Sequence, residues 1–233
     1  MSTLQRLLQR IETTNTSGGT PVLVLDLDST LFSTQERNWA ILCEFANARP
    51  VPELQAACGK LGPEAMGWNV MEDLKRAGFD DAATLDALRA FWFERFFRDE
   101  YLHHDLPLPG AVEFVKQAHA RGAHVVYLTG RDEPGMGLGT RASLTGRGFP
   151  LEIERTDLML KPQFDEPDLD FKRRAIADVR KLGTVLAVFE NEPVNANLFA
   201  DEFPDAEIYF LETVHSPDPP PLRARIMRLP DFR

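Results

Sequence analysis

The segment that most constrains the fold is an apolar run from Pro21 to Leu25 that leads directly into Asp26 and Asp28. The apolar residues from Val22 onward predict a strand buried on both faces, as in parallel sheets covered by helices. Such sheets bind ligands beyond the carboxyl ends of their strands, where these two aspartates stand. Residues two apart in an extended chain share a side, so the carboxylates repel each other unless a cation accompanies them. The segment therefore predicts a chemical or metal site, and the alternative is a turn in which Asp28 caps the next helix.

Short apolar runs alternate with helical patterns along much of the chain, which predicts an α/β fold with a mainly parallel sheet. Further strands are predicted at Ala123 to Leu128, Leu151 to Ile153, Leu158 to Leu160, Val185 to Phe189 and Glu207 to Leu211. Predicted helices at Gly110 to Arg121 and Phe171 to Lys181 are each followed closely by a glycine, which is typical of helix C-termini. The segment after Leu211 is rich in proline and arginine and is predicted to be a surface tail.

Residues 34–106 lack strand patterns and contain helical segments broken by proline and glycine. They predict an all-helical insertion into an α/β core formed by residues 1–33 and 107–233. Its last helix, about Asp81 to Tyr101, has apolar residues on more than one face and is predicted to be buried on two sides. We expect most of its aromatic side chains to belong to a helical core and one or two to line a pocket.

The formal net charge of −10 disfavours a protein that binds nucleic acid through phosphate contacts. A small anionic substrate remains compatible with a local cationic pocket. The two cysteines, Cys43 and Cys58, cannot form a four-ligand zinc site by themselves and suggest a reducing compartment. Neither a signal peptide nor a membrane span is predicted, so we expect a cytoplasmic protein. The sequence gives no indication of the oligomeric state.

Polar residues also follow the predicted strand that ends at Leu128. Thr129, Gly130 and Arg131 combine a hydroxyl donor, a glycine that lets backbone N–H groups approach, and a guanidinium that can bind two oxygens. This combination suits a phosphoryl group. An ordinary loop is the alternative for the segment alone, but its pairing with Asp26 and Asp28 favours a phosphate site.

The strand ending at Phe189 leads into Glu190, Asn191 and Glu192. Mg²⁺ is bound by a few carboxylate or carbonyl oxygens and retains waters. Asp26, a backbone carbonyl near Asp28 and one of these three residues would suffice as ligands. Helix capping is the alternative role for Asn191.

A phosphate dianion approaching Asp26 also needs a cationic side chain to offset charge repulsion. Lys161 follows a predicted strand, whereas Lys172 lies in the first turn of the helix that precedes Glu190. A cation near a helix N-terminus is locally unfavourable, which hints at a role for it. We therefore favour Lys172 over Lys161, with a solvated lysine as the alternative.

These segments together resemble the four motifs of the haloacid dehalogenase superfamily of phosphatases and phosphotransferases. The segment from Asp26 to Thr30 resembles the DxDxT first motif, and Thr129 within Leu-Thr-Gly-Arg resembles the second. Lys172, or else Lys161, corresponds to the third. Glu190-Asn191-Glu192 corresponds to the fourth, but departs from the usual Asp-Asp or Gly-Asp pattern.

The resemblance implies a Rossmann-like core with a C1-type helical cap inserted after the first motif. It further implies that Asp26 attacks phosphorus to form an aspartyl-phosphate, while Asp28 protonates the leaving alcohol and then deprotonates the hydrolytic water. Thr129, Gly130, Arg131 and Lys172 would bind the phosphoryl group, and Asp26, Asp28, Glu190 and Asn191 would hold Mg²⁺.

The function predicted from the sequence is therefore a Mg²⁺-dependent phosphomonoester hydrolase acting on a small phosphorylated metabolite. The unusual Glu190-Asn191 pair motivates an alternative, a capped domain that binds a phosphorylated ligand without turnover. A polynucleotide 3′-phosphatase is a third possibility, suggested by the Asp-Phe-Lys entry to the helix of Lys172 and disfavoured by the acidic composition.

Two further patterns are given structural interpretations. Gly135-Met136-Gly137-Leu138-Gly139 lacks dinucleotide-binding spacing and is predicted to be a mobile loop that leads into a helix. Asp168-Leu169-Asp170 repeats the DxD spacing without a preceding apolar strand, and is predicted to cap a helix.

Overall fold

A computed structural model describes residues 2–233 of the chain. Its main sheet contains six parallel strands in the order β5-β4-β1-β6-β7-β8. These strands are β1 (Pro21–Leu25), β4 (His124–Asp132), β5 (Thr156–Lys161), β6 (Thr184–Glu190), β7 (Glu207–Leu211) and β8 (Met227–Leu229). The predicted α/β class with a parallel sheet is confirmed, and β1 lies inside the sheet between β4 and β6.

Helices cover both faces of this sheet. Those of the core are α1 (Thr3–Thr16), α6 (Ala111–Ala120), α7 (Glu133–Gly146), α8 (Asp168–Leu182) and α9 (Pro193–Glu202). Alternate residues of β1 point to opposite faces, so Leu23 and Leu25 pack with α1 and α6. Val22 and Val24 pack with α8 and α9. Burial on both faces explains why the sequence of β1 is a continuous apolar run.

The helical insertion begins after β2 (Phe32–Ser33) and ends before β3 (Leu106–Pro107), and these two strands pair antiparallel. It contains α2 (Gln35–Ala48), α3 (Pro52–Cys58), α4 (Val70–Arg76) and α5 (Ala82–Phe96), with short 3₁₀ helices at Pro63–Ala65 and Asp99–His104. A separate apolar cluster drawn from residues 42–88 forms its interior. The molecule is thus a Rossmann-like core with an inserted helical cap, and the exact boundaries at 34 and 106 stay a prediction.

The predicted surface tail is wrong. Met227–Leu229 forms β8 at the edge of the main sheet, paired with β7. Phe232 is buried and packs its ring 5.3 Å from that of Phe189 and 5.5 Å from that of Phe114. Only the connection that follows β7 is rich in proline. Beyond it, the chain adds the short strand β8 to the sheet and the ring of Phe232 to the core.

Two local predictions are also wrong. The predicted strand at Leu151 to Ile153 does not form, because residues 151–155 form turns in which Glu152 and Arg155 have positive φ. Within the described chain the only strand between β4 and α8 is Thr156–Lys161. The glycine segment 135–139 lies inside α7 rather than in a loop, because the side chain of Asp132 accepts a hydrogen bond from the backbone N–H of Gly135 and begins the helix. Gly139 is needed there for close packing, since a Cβ would lie 2.6 Å from the carbonyl oxygen of Asp99.

No helix within residues 2–233 combines the length and apolar character that a membrane span requires. The cytoplasmic location stays a prediction from the sequence.

Candidate functional site

Asp26 stands immediately after β1, at the carboxyl edge of the sheet. Its backbone N–H still donates to the carbonyl of Phe189 on β6, at 3.1 Å, so the position of the carboxylate is fixed by the sheet ladder. The residue is 7 % exposed. Lys172 Nζ donates to its Oδ1 at 2.8 Å, and no hydrogen bond within residues 2–233 reaches its Oδ2. One carboxylate oxygen of Asp26 is therefore held and the other is available to a ligand.

Lys172 joins Asp26 to Glu190. Its Nζ also donates to Oε2 of Glu190 at 2.6 Å, and all three side chains are almost completely buried. Burial raises the pKa of Asp26 to about 7 against the opposing effect of the Lys172 ammonium, and the nearby Glu190 charge adds to the rise. Burial alone would lower the pKa of Lys172, but the two carboxylates outweigh it and hold that pKa above its usual range. Two buried acidic groups thus share one ammonium, and Asp26 is the one whose ionised form is disfavoured.

Lys161, the alternative lysine, holds a loop. Its Nζ donates to the carbonyl oxygens of Phe164 and Glu166, both at 3.0 Å, and contacts the carboxylate of Asp168 at 2.8 Å. Asp168 lies in the first turn of α8, whose N-cap is Pro167, so the predicted capping role of the DxD repeat is replaced by this ion pair. The structure places Lys172, and not Lys161, against Asp26.

Asp28, whose side chain is 32 % exposed, is held by two arginines in a network whose other three charged groups are buried. Oδ1 of Asp28 accepts from Arg37 Nη2 at 2.8 Å and from Arg131 Nε at 3.1 Å. Arg37 Nε donates to Oδ1 of Asp105 at 2.8 Å, Arg131 Nη2 donates to Oδ2 of Asp105 at 2.7 Å, and Arg37 Nη1 donates to the carbonyl of Phe96 at 3.0 Å. The network joins the cap, through Arg37, to the core.

This network changes the roles that the sequence predicts for Asp28 and Arg131. Burial alone would raise the pKa of Asp28, but the Arg131 and Arg37 guanidiniums outweigh it and hold that pKa well below its usual range. Asp28 is therefore a carboxylate at neutral pH, which does not fit the predicted role of proton donor. Arg131 is 2 % exposed and bonded to two aspartates, so its guanidinium is engaged inside the protein rather than free for a phosphoryl group.

The sequence interpretation missed Arg37 and Asp105. The signal for Arg37 lies in helical spacing, because Arg37, Ile41 and Phe45 follow one another at intervals of four and all three are fully buried. A charged residue on an apolar stripe implies a buried counterion. No comparable pattern marks Asp105, which is the first residue after the cap's last helical turn.

Thr129 and Gly130 lie on β4 beside Asp26 and line the same cavity. The hydroxyl oxygen of Thr129 accepts a hydrogen bond from the backbone N–H of Arg131 at 3.3 Å. A Cβ at Gly130 would lie 2.3 Å from a carboxylate oxygen of Asp168, so a side chain there would displace that carboxylate. Both residues therefore lie where the predicted phosphoryl group would meet them.

The residues after β6 are more fully engaged than the sequence suggests. Oε1 of Glu190 accepts from the backbone N–H groups of Asn191 and Glu192, at 3.0 and 2.9 Å, while Oε2 accepts from Lys172. Both oxygens of Glu192 accept from Ser216. Oδ1 of Asn191 accepts from the hydroxyl of Thr30 at 3.0 Å, and an amide oxygen has a second lone pair. Each carboxylate oxygen also has two lone pairs, so Glu192 retains two free ones, while Asn191 and Glu190 retain one each.

A divalent cation fits this site only as a partly hydrated ion. The free groups are oxygens, which Mg²⁺ prefers, and a cation beside Asp26 would stabilise its ionised form against the burial that raises its pKa. However, no three His, Cys, Asp or Glu side chains of the described chain are arranged to hold a metal together. Asp26, Asn191 and Glu192 line the cavity with free acceptor capacity and fit such an ion, whereas Lys172 and two backbone N–H groups already occupy Glu190.

A cavity of about 590 Å³ lies over these residues, between core and cap. The core contributes Asp26, Thr129 and Lys172 to its lining, and the cap contributes mainly apolar side chains. The prediction that α5 is buried on two sides is wrong, since its fully buried residues are Leu85 and Leu88. Its aromatic residues Trp92, Phe93 and Phe96 line the cavity instead, together with Phe97 at its C-cap.

No protein-family model and no curated protein matches the chain. Several solved structures do. Protein tyrosine kinase A of Mycobacterium tuberculosis is 16% identical over 90% of this chain and 93% of its own, with a TM-score of 0.54. A Clostridium difficile protein provisionally named a phosphatase is 11% identical over 86% of this chain and 89% of its own, with a TM-score of 0.53. CbbY of Rhodobacter sphaeroides, solved with bound phosphate, is 16% identical over 92% of this chain and 95% of its own, with a TM-score of 0.50. At such low identity these likenesses show a common fold.

Proposed function

We propose that this chain is a phosphomonoester hydrolase whose nucleophile is Asp26. The proposal builds on its haloacid dehalogenase-like fold. The observation that supports this most is the pairing of Asp26 with Lys172 at the floor of a large cavity, with one carboxylate oxygen free. The buried ammonium offsets the charge of the carboxylate and, in part, that of an approaching phosphoryl group. The phosphate bound in CbbY is consistent with such a ligand.

In the proposed reaction Oδ2 of Asp26 attacks phosphorus, and the bond from phosphorus to the alcohol oxygen breaks. The alcohol takes up a proton from solvent, and the phosphoryl group stays on Asp26 as an aspartyl-phosphate. Water then attacks phosphorus, which releases inorganic phosphate and restores the carboxylate. Thr129 and the backbone around Gly130 would bind phosphoryl oxygens during both steps.

We assign Asp28 a narrower role than the sequence suggests. Arg37 and Arg131 occupy its Oδ1, while no hydrogen bond within residues 2–233 reaches Oδ2. This free oxygen can accept a hydrogen bond from the hydrolytic water and orient it toward phosphorus. A carboxylate with such a lowered pKa can accept a hydrogen bond but is unsuited to supplying a proton.

Mg²⁺ is proposed as the cofactor, with Asp26 and one or both of Asn191 and Glu192 as the side chains that would hold it. When bound, it would supply positive charge that offsets the phosphoryl dianion. EDTA should then abolish phosphate release, and added Mg²⁺ should restore it.

The test of the proposed function is Asp26→Asn, assayed for phosphate release from a panel of phosphomonoesters with Mg²⁺. We expect a loss of at least about a thousandfold in kcat, because the amide is a poor nucleophile. Asp178→Asn, on an exposed part of α8, is the matched control and should keep its activity. Full activity in folded Asp26→Asn, verified by circular dichroism, would contradict the proposal.

A second candidate function is binding of a phosphorylated ligand without turnover. The neutral Asn191 and the two arginines on Asp28 favour it, because both features remove groups that hydrolysis would use. In that case phosphate would raise Tm, but no ester in the panel would release phosphate with Mg²⁺ or Mn²⁺. A polynucleotide substrate is disfavoured by the net charge of −10.

A further inference from the structure

We infer that the organic part of the ligand carries an aromatic ring, which packs against the aromatic side of the cavity. This inference rests on the proposed function for the position of the phosphoryl group beside Asp26 and Lys172. It deepens that function by naming the chemical class of the substrate, a phosphomonoester of an aromatic alcohol.

The aromatic wall, as we define it, consists of five rings that line the cavity: Trp92, Phe93, Phe96, Phe97 and Phe164. Trp92, Phe93 and Phe96 lie on α5 of the cap and Phe97 follows its last residue. Phe164 lies on the loop between β5 and α8 of the core. Trp92 and Phe96 are stacked with centroids 4.5 Å apart. Phe164 meets Phe97 edge to face at 5.1 Å and Phe93 at 5.6 Å, so the wall is continuous from cap to core.

Part of this wall is exposed to the cavity although it is strongly apolar. Phe93 is 53 % exposed and Phe164 is 43 % exposed, and Trp68 on the cap side of the same cavity is also 53 % exposed. Contiguous exposed aromatic surface is unfavourable in water and is typical of ligand grooves. The faces of these rings favour stacked or edge-on contact with another ring.

Several polar side chains that line the cap side of the cavity already form hydrogen bonds within the cap. Trp92 Nε1 donates to Oδ1 of Asn38 at 2.8 Å, and Nδ2 of Asn38 donates to the carbonyl of Gly67. Oδ1 of Asn69 accepts from the backbone at the start of α4. Among the described lining residues of the cap, Arg89 is the single charged side chain, and it is largely exposed.

A hydroxyl-rich organic group, such as a sugar, would therefore lose hydrogen bonds to water in this cavity and find few replacements. Discrimination between hydroxylated ligands requires several fixed hydrogen-bonding partners, and on the cap side only the Asn69 amide N–H groups and the exposed Arg89 remain for this purpose. An aromatic group loses little on leaving water and gains ring contacts along the wall. The cavity volume of about 590 Å³ is large enough for such a group in addition to the phosphoryl group.

Binding of phosphonates tests the inference without any need for turnover. We would measure Kd by calorimetry for benzylphosphonate, cyclohexylmethylphosphonate and 2,3-dihydroxypropylphosphonate. The expected order is benzyl tightest, cyclohexylmethyl next and dihydroxypropyl weakest, with at least about a tenfold difference between first and last. Equal or tighter binding of the dihydroxypropyl compound would overturn the inference. Equal binding of the cyclohexylmethyl compound would overturn its aromatic part.

Variants of Phe93 test the role of the wall itself. Phe93→Ala should reduce the preference for benzyl over dihydroxypropyl by roughly two- to tenfold, and Phe93→Leu should reduce it by less. Leu138→Ala removes an exposed side chain outside the cavity and should leave the preference unchanged. An unchanged preference in Phe93→Ala would contradict the assignment of the wall.

Failure of this inference and failure of the proposed function give different results. If sugar phosphates are hydrolysed faster than benzyl and 2-phenylethyl phosphates, the hydrolase stands and the aromatic substrate is wrong. If benzylphosphonate binds preferentially but no ester is hydrolysed, the aromatic ligand stands and the hydrolase is wrong.

Discussion

Replacing Arg37 should be among the most destabilising single substitutions in this protein. In Arg37→Met the fully buried Asp105 loses two of its three guanidinium hydrogen bonds. The four-residue network then changes from neutral to one net negative charge. Removing one partner of a buried ion pair costs about 3–5 kcal/mol, because the remaining charge is desolvated without compensation. That loss is a large part of the total stability of a typical domain, which is about 5–15 kcal/mol.

Urea unfolding would measure this cost, followed by both tryptophan fluorescence and circular dichroism. The tryptophans Trp39, Trp68 and Trp92 all lie in the cap, so fluorescence reports on the cap and circular dichroism on the whole chain. The double variant Arg37→Met with Asp105→Asn restores neutrality. Its loss in the free energy of unfolding should therefore be about 2 kcal/mol smaller than the sum of the losses in the two single variants.

Arg89→Met is the control, because this arginine is largely exposed and its ion pair with Asp86 is on the surface. It should change the free energy of unfolding by less than about 0.5 kcal/mol. A cost below about 1 kcal/mol for Arg37→Met, or simple additivity with Asp105→Asn, would refute the view that a compensated ionic network joins cap to core.

Three other substitutions test separate parts of the structure. Phe232→Ala should lower the free energy of unfolding in urea by about 3–5 kcal/mol, since it removes a buried ring that anchors the C-terminus to the core. Gly139→Ala should cost about 1–3 kcal/mol in the same assay, because the new methyl group would lie 2.6 Å from the carbonyl oxygen of Asp99. Lys172→Met should remove the increase in Tm that phosphate causes, because no ammonium then offsets Asp26 and Glu190.

Each of these substitutions has its own control or contrary outcome. A cost below about 1 kcal/mol for Phe232→Ala would mean that the C-terminus is a surface tail after all. Gly146→Ala, in the same helix as Gly139 but with open space around it, should not destabilise the protein. Lys181→Met removes an exposed lysine of α8 and should keep the phosphate effect. A persistent phosphate effect in Lys172→Met would contradict the proposed role of Lys172.

The core of the fold was predictable because buried parallel strands have distinctive continuous apolar sequences. Val22 to Leu25 and Val185 to Phe189 are such runs, and the side chains that follow them meet at one sheet edge for purely topological reasons. The sequence placed Lys172 in the first turn of a helix starting at Phe171. In the structure α8 starts at Asp168 and Lys172 is its fifth residue, which still reaches Asp26. These features depend on local sequence and on the geometry of parallel sheets.

Other features depend on contacts that local sequence does not encode. Asp28 forms ion pairs with Arg37 of the cap and Arg131 of β4. The separation of these residues along the chain does not indicate that they lie together in the fold. The aromatic residues of α5 have the composition of a helical core, and only the position of the cap over the sheet exposes them to a cavity. The strand β8 was hidden because its three residues follow a proline-rich segment.

The covalent attachment of phosphate to Asp26 is the central claim, and acid quenching during turnover tests it most directly. The protein would be mixed with a phosphomonoester that it hydrolyses and that carries ³²P in its phosphoryl group. The mixture would then be quenched in acid, digested and examined by mass spectrometry. We predict a hydroxylamine-labile phosphoryl group on the peptide that contains Asp26, and no label in Asp26→Asn. Turnover without any trapped label, or a label on another residue, would contradict the proposed mechanism.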